Sequence, residues 1–420
     1  MTKRIKPHQS SIVPAPVPGA QPRSPLRLFL GAFGDPGHAF PMLALGTELA
    51  RRGHAVTMET WSRWREHVEA AGMRFAAAPE HPVFPTAERP MTMYEAVVRA
   101  VGETRPAVAA ARPDAVVADI LTLAPALAAE LEGIPAATLI PHVHPAPPPG
   151  AAPYSFGARW PRTALGRSLW RRLDPLVERG LRYGQRELND TRAQLGLPPV
   201  TRLHGGLSDR LCLVATFPQL EYPRAWPAHA HVVGPLLWEP PTAPVAPPPG
   251  TQPLVLVAPS TAQDRDHRLL RAALAGLGEL PIRVLATWNR RPLPGPAAVP
   301  ANTRLVEWLS YAQTMPQCAL VVCHVGHGTM VRALASGTPV VATPVAGDMG
   351  ENAARLDWAG AGVRLPWRFT GPRTLRLAVR RALAAPALAR RAGELAAWSR
   401  AHDAAARAAD LVEQLARGER

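Results

Sequence analysis

Short apolar runs recur along the chain, each followed by a turn and then by residues with helical periodicity. Residues 26–30 (LRLFL), 55–58 (AVTM), 115–119 (AVVAD) and 136–140 (AATLI) form the first set. Such runs, apolar on both faces, are the signature of buried strands in a parallel sheet. Between the first two lie a Gly-rich turn, residues 31–38, and a helix expected from Pro41 to about Arg52, with Pro41 in its first turn and Gly53 past its end. Strand, loop, helix and strand make a βαβ unit and predict a doubly wound α/β sheet. Residues 144–153 (HPAPPPGAAP) read as a loop, and residues 160–194 as one amphipathic helix carrying Leu165, Leu169, Leu173, Leu176 and Leu181. Residues 211–215 and 232–235 close this first half.

The proline-dense stretch 238–253 (WEPPTAPVAPPPGTQP) reads as a stiff, structureless linker. Strand-like runs resume at 254–257, 283–286, 306–309, 320–323 and 340–342, and residues 372–420 are Ala- and Arg-rich helix in two or three segments. The expected organisation is a disordered tail (1–25), a first domain (26–237), the linker (238–253), a second domain (254–400) and a terminal helix (401–420). A length of 420 residues accommodates two lobes of roughly 200 residues each.

The most informative stretch lies in the second half. The strand at 320–323 runs into Val325-Gly326-His327-Gly328-Thr329, then a short helix over 330–336 that Gly337 and Pro339 stop. A helix beginning on glycines presents unpaired N–H groups and the positive end of its dipole, which seats phosphate. His324 adds a donor there, and the loop 344–352 brings Asp348 near whatever the phosphates carry. A phosphate seat beside a carboxylate suggests a nucleotide-linked sugar.

Composition narrows the alternatives. With 47% apolar and 19% charged residues the chain is globular. No run of about 18 apolar residues suits a membrane span, and the polar, proline-rich first 25 residues lack a secretion-signal core. The net charge of +15 comes almost wholly from arginines scattered without aromatic interleaving, so codon bias explains it better than nucleic-acid binding. Cys212, Cys318 and Cys323 sit in apolar runs without metal spacing, which points to buried thiols in a cytoplasmic protein.

The segment 324–353 resembles the donor-binding signature of family 1 (UDP-sugar type) glycosyltransferases, especially those of actinobacterial natural-product pathways. His324, Gly326, Gly328, Thr329, Gly337, Pro339, Asp348, Asn352 and Ala353 match it, whereas Val325 replaces a glycine, Met349 a glutamine and Arg332 a glutamate. The resemblance covers about residues 26–415 and implies the GT-B architecture, two Rossmann-like domains facing a central cleft, with the last helix returning to the first lobe. It implies that His38 is the catalytic base and Asp119 its partner. Their strand ends would share one edge of the sheet, where a carboxylate can orient an imidazole for proton abstraction. Asp35 is the runner-up acid, read more simply as a turn residue before Pro36.

On the donor side the resemblance implies contacts from Ser260, Thr261, Trp308, His324, Gly326, Gly328, Thr329, Asp348, Met349 and Asn352. On the acceptor side it suggests Phe40 and His142. His327 occupies a variable slot, and His144 a proline-rich loop. The GDPGH loop lacks three-glycine dinucleotide spacing, although Glu59 stands where a ribose-binding acid would. No cluster of His, Cys, Asp and Glu has metal-ligand spacing, so neither metal nor cofactor is expected. The expected reaction is inverting transfer from a UDP- or dTDP-sugar to a hydroxyl of a lipophilic polyketide or aromatic acceptor. A non-catalytic activating homologue and a nucleotide-sugar epimerase are the alternatives, and a homodimer is left open.

Overall fold

The computed structural model describes residues 24–80, 95–260, 263–291, 293, 295 and 297–419. The tail expected over 1–25 lies outside them except for its last two residues, and so does Thr261.

The first lobe opens with β1 (Arg27–Gly31), α1 (Pro36–Arg51), β2 (Ala55–Thr60), α2 (Arg65–Ala70) and β3 (Arg74–Ala77). It continues through α3 (Glu95–Ala111), β4 (Ala115–Asp119), α4 (Leu123–Leu131) and β5 (Ala136–Ile140). Helices α5 (Ala164–Arg171) and α6 (Asp174–Gln194) precede β6 (Cys212–Val214) and β7 (Ala230–Val232). The seven strands form a parallel sheet in the order β3-β2-β1-β4-β5-β6-β7. Because the order reverses beside β1, the carboxyl ends of β1 and β4 flank the crevice where ligands bind in such sheets.

The second lobe contains β8 (Leu254–Ala258), α7 (Arg268–Leu277), β9 (Arg283–Thr287), β10 (Thr303–Val306) and α8 (Tyr311–Thr314). There follow β11 (Leu320–Cys323), α9 (His327–Ala335), β12 (Val340–Ala342), α10 (Met349–Ala359) and β13 (Gly362–Arg364). Its six parallel strands are ordered β10-β9-β8-β11-β12-β13. Every residue of β8, β11 and β12 is buried, as a sheet covered by helices on both faces requires.

Helices α11 (Pro372–Leu383), α12 (Pro386–Ala401) and α13 (Ala404–Arg417) complete the chain. Helix α13 lies on the first lobe. Its Ala404, Ala408, Ala409, Leu411 and Val412 share a core with Leu43, Leu45 and Leu49. Burial of Leu411 and Val412 contributes about 1.5–3 kcal/mol each. Arg52 adds charged bonds to Asp410 (2.7 Å) and Glu413 (2.8 Å).

The lobes meet along a second seam. Val143, Phe217 and Leu220 of the first lobe sit in the apolar core beneath β11 and α9. Arg355 of α10, fully buried, donates to the Leu220 carbonyl (3.2 Å), Glu221 (3.0 Å) and Glu351 (2.7 Å), with the Tyr222 ring 3.6 Å from its guanidinium carbon.

Five stretches depart from expectation. Helix α1 starts at Pro36, five positions earlier than the periodicity suggested, because Pro36 takes the first turn and Pro41 falls inside. The helix expected over 160–194 breaks into α5 and α6, the second beginning at Asp174-Pro175, and Leu165, Leu169 and Leu176 are exposed rather than packed. Short strands β3 and β13 extend the two sheets beyond the expected runs. The stretch 238–253 has no regular structure, but it is docked: Glu239 accepts from Ser310 Oγ and from the Ala312 amide (3.2 Å). Among the described residues no helix is long and apolar enough to cross a membrane.

Candidate active site

Because α1 begins at Pro36, His38 lies in the first turn of that helix and not on the loop before it. Asp119 ends β4, the strand beside β1. The imidazole Nδ1–H donates to Asp119 Oδ1 at 2.8 Å, and the carboxylate is fully buried. Its other oxygen accepts the Leu121 amide at 3.3 Å. This bond fixes the tautomer and leaves Nε2 as the lone-pair nitrogen. Burial opposes charge on His38, but the Asp119 charge and hydrogen bond, with Asp35 and Asp348 beyond, lift its pKa above the ordinary value. Asp35 itself precedes α1, half-exposed, with Arg63 3.4 Å away. His142 lies 6.5 Å from the His38 ring; its Nδ1–H donates to its neighbour's Val143 carbonyl (2.7 Å), and burial lowers its pKa.

The donor motif folds as a strand-turn-helix. Gly326 precedes α9, and a methyl group added at Gly326 or Gly328 would meet nothing within 4 Å. Both glycines therefore border open space at the amide end of the helix. Val325, buried and β-branched, holds φ at 55°, a left-handed conformation that favours glycine. Asn352 braces it by donating to the Val325 carbonyl (3.0 Å) and also to Asp348 Oδ2 (2.9 Å). Backbone strain of about 1–3 kcal/mol is thus held at the candidate phosphate seat. Met349 is buried alongside, and Asp348, beginning α10, acts electrostatically on His38 across the cleft.

His324 has less freedom than its motif position suggests. Its Nδ1 accepts the Ser260 amide (2.9 Å) and its Nε2 lies 3.3 Å from Asp264 Oδ2, so the ring braces the loop after β8. Burial would raise the Asp264 pKa, but bonds from His324 and the amides of Leu269 and Arg268 hold it below the usual range. Asp264 escaped sequence reading, although its place on that loop was the available signal.

A cleft open to solvent runs between the lobes. Pro36, Gly37 and Phe40 line it from one side, and Ser260, Trp308, His324, Gly326, Gly328, Thr329 and Met349 from the other. Phe40, expected on the acceptor side, packs on Trp64 (5.1 Å) and Trp238 (5.0 Å) at the first-lobe wall of this cleft. Arg290 covers Trp308 at 5.1 Å. Arg332, in the place of the family's glutamate, donates to the Trp238 carbonyl (2.7 Å) and lies 3.8 Å from Glu239, so the docked stretch brings an acid to the cleft. His327 is also buried here; burial pushes it down to about 3, with Asn352 and the Ala215 backbone as polar neighbours.

Residues 271–415 match the family described as Erythromycin biosynthesis protein CIII-like, C-terminal domain. The chain is 30% identical over 428 residues to O-mycaminosyltylonolide 6-deoxyallosyltransferase of Streptomyces fradiae, covering 93% of this chain and 98% of that one. It belongs to the actinobacterial natural-product glycosyltransferases. A second relative, 4'-demethylrebeccamycin synthase of Lentzea aerocolonigenes, is 29% identical over 426 residues, 91% of this chain and 97% of its own. The solved glycotransferase of kitacinnamycin superposes with a TM-score of 0.74 at 23% identity, covering 93% of this chain and 99% of that structure. The two facing parallel-sheet lobes are the GT-B fold, and this glycosyltransferase carries its His38–Asp119 pair and its glycine-rich helix terminus on opposite lobes.

The three cysteines are free, and burial pushes each thiol up to about 12, far from a reactive nucleophile.

Proposed function

We propose that this glycosyltransferase moves a sugar from a UDP- or dTDP-linked donor to a hydroxyl of a lipophilic natural-product acceptor, with inversion and without a metal. His38 Nε2 removes the acceptor proton as the hydroxyl oxygen attacks the anomeric carbon. The bond from that carbon to the diphosphate breaks on the opposite face, and the diphosphate leaves with the electron pair. Asp119 stabilises the imidazolium that forms. The amide end of α9, opened by Gly326 and Gly328, stabilises the leaving charge. Ser260 and Thr329 stand at the phosphates, Trp308 at the base, and Asp348 at the sugar hydroxyls, with Met349 and Asn352 shaping the wall. His324 acts by holding the Ser260 loop.

The observation that carries this reading is the 2.8 Å bond from His38 to a fully buried carboxylate, at a cleft whose far wall is a glycine-rich helix terminus. His38→Ala is expected to abolish sugar transfer while leaving calorimetric dTDP or UDP affinity nearly unchanged. Full turnover in that variant would exclude His38 as the base.

A further inference from the structure

The first lobe holds a second pocket, partly open to solvent, at the carboxyl edge of its sheet. Apolar side chains make most of its wall, among them Phe33, Trp61, Val97 and Leu121. It adjoins the dyad directly: the Phe33 ring stands edge-on to His38 at 6.0 Å, and Leu121 is the residue whose amide bonds Asp119. Among the described residues one charged side chain enters this apolar space. Glu59, near the end of β2, is 2% exposed.

Its carboxylate is poorly provided for. The Thr104 hydroxyl reaches both oxygens, at 2.9 and 3.1 Å, and a hydroxyl has one proton to share between them. No cation pairs with it among the described residues; its charged neighbour is another carboxylate, Glu103. Burial pushes Glu59 up to about 7, and Glu103 adds to the effect. A buried carboxyl with open acceptor positions and no counter-ion is costly to the free protein. A ligand that brings the positive charge removes that cost.

We propose that this cavity is an acceptor subsite for a compound with an apolar or aromatic body and a cationic amine, the amine pairing with Glu59 while the body packs between Phe33, Trp61 and Leu121. The inference rests on the glycosyltransferase reading above and names the acceptor class for it. A nucleophilic hydroxyl elsewhere on the same molecule would then lie toward His38, past Phe33.

Two probes of matched shape test it on the full chain by calorimetry at mildly alkaline pH: tyramine, and its neutral analogue para-propylphenol. The wild type is expected to bind tyramine about tenfold more tightly, the size of one charge-assisted hydrogen bond. E59Q is expected to erase that preference while its affinity for para-propylphenol barely changes. Equal affinity for the two probes in the wild type overturns the proposal, whether or not the variant folds. So does a tyramine preference that survives E59Q. Titration of dTDP and UDP into the same samples separates the two claims: loss of nucleotide binding with an intact amine preference would count against the donor reading alone.

Discussion

Asp119→Asn removes the carboxylate that is hydrogen-bonded to His38 and leaves the side-chain volume unchanged. The charges form a contact pair, with Nδ1 2.8 Å from Oδ1 and the carboxylate fully buried. For charge centres about 4 Å apart at an effective dielectric of about 20, the imidazolium loses about 4 kcal/mol of stabilisation. If all of that is felt when the proton moves, the rate falls about a thousandfold. The pH profile shifts as well. Because His38 works as a base only when neutral, and its pKa lies above 6.5, wild-type kcat/KM climbs with pH through a value above 6.5. Removing Asp119 takes away the two largest influences that raise the His38 pKa, so the acid limb of the variant moves to lower pH. The pair also stabilises the fold, fully below the unfolded histidine pKa and progressively less as pH rises through the folded one. Initial rates of nucleoside diphosphate release, measured across pH with calorimetric nucleotide affinity as control, check all of this. A variant within about tenfold of wild type, with its acid limb unmoved, would refute the assignment of Asp119.

Gly328→Ala should leave unfolding unchanged or slightly improved, since alanine is the better helix former by up to about 1 kcal/mol and its methyl meets nothing in the free protein. The same methyl would enter the phosphate space, and dTDP affinity should drop about tenfold or more by calorimetry. Arg355→Ala would leave Glu221 and Glu351 buried without their counter-charge at the seam between lobes, a loss of about 3–5 kcal/mol in denaturant unfolding. A loss under about 1 kcal/mol would show that the seam is held by Phe217 and Leu220 instead.

The sheet interiors were legible because buried parallel strands leave continuous apolar runs. The runs at 115–119, 136–140, 320–323 and 340–342 coincide with β4, β5, β11 and β12. Strands β3 and β13, at the sheet edges and three or four residues long, carry no such run. Two prolines within six residues hid the start of α1: either suits a first turn, and only tertiary packing decides for Pro36. The break between α5 and α6 had a signal in Asp174-Pro175, overridden by the leucine periodicity. In the site, residue types and order were readable, but orientation was not. The sequence holds no sign that His324 would brace Ser260 against Asp264, or that Asn352 would clamp Val325. Proline density made 238–253 read as a bare spacer, and so concealed Trp238 and Glu239 as cleft residues. Glu59 was visible as an acid at a strand end, yet its isolation in an apolar cavity depends on α3 and on the residues after β4.

The most direct test is a crystal structure of the protein with dTDP or UDP. The account predicts diphosphate oxygens within hydrogen-bond distance of the backbone amides at Gly328 and Thr329, on the cleft wall opposite His38. A nucleotide seated on the other lobe, or with its phosphates turned away from the start of α9, would contradict it.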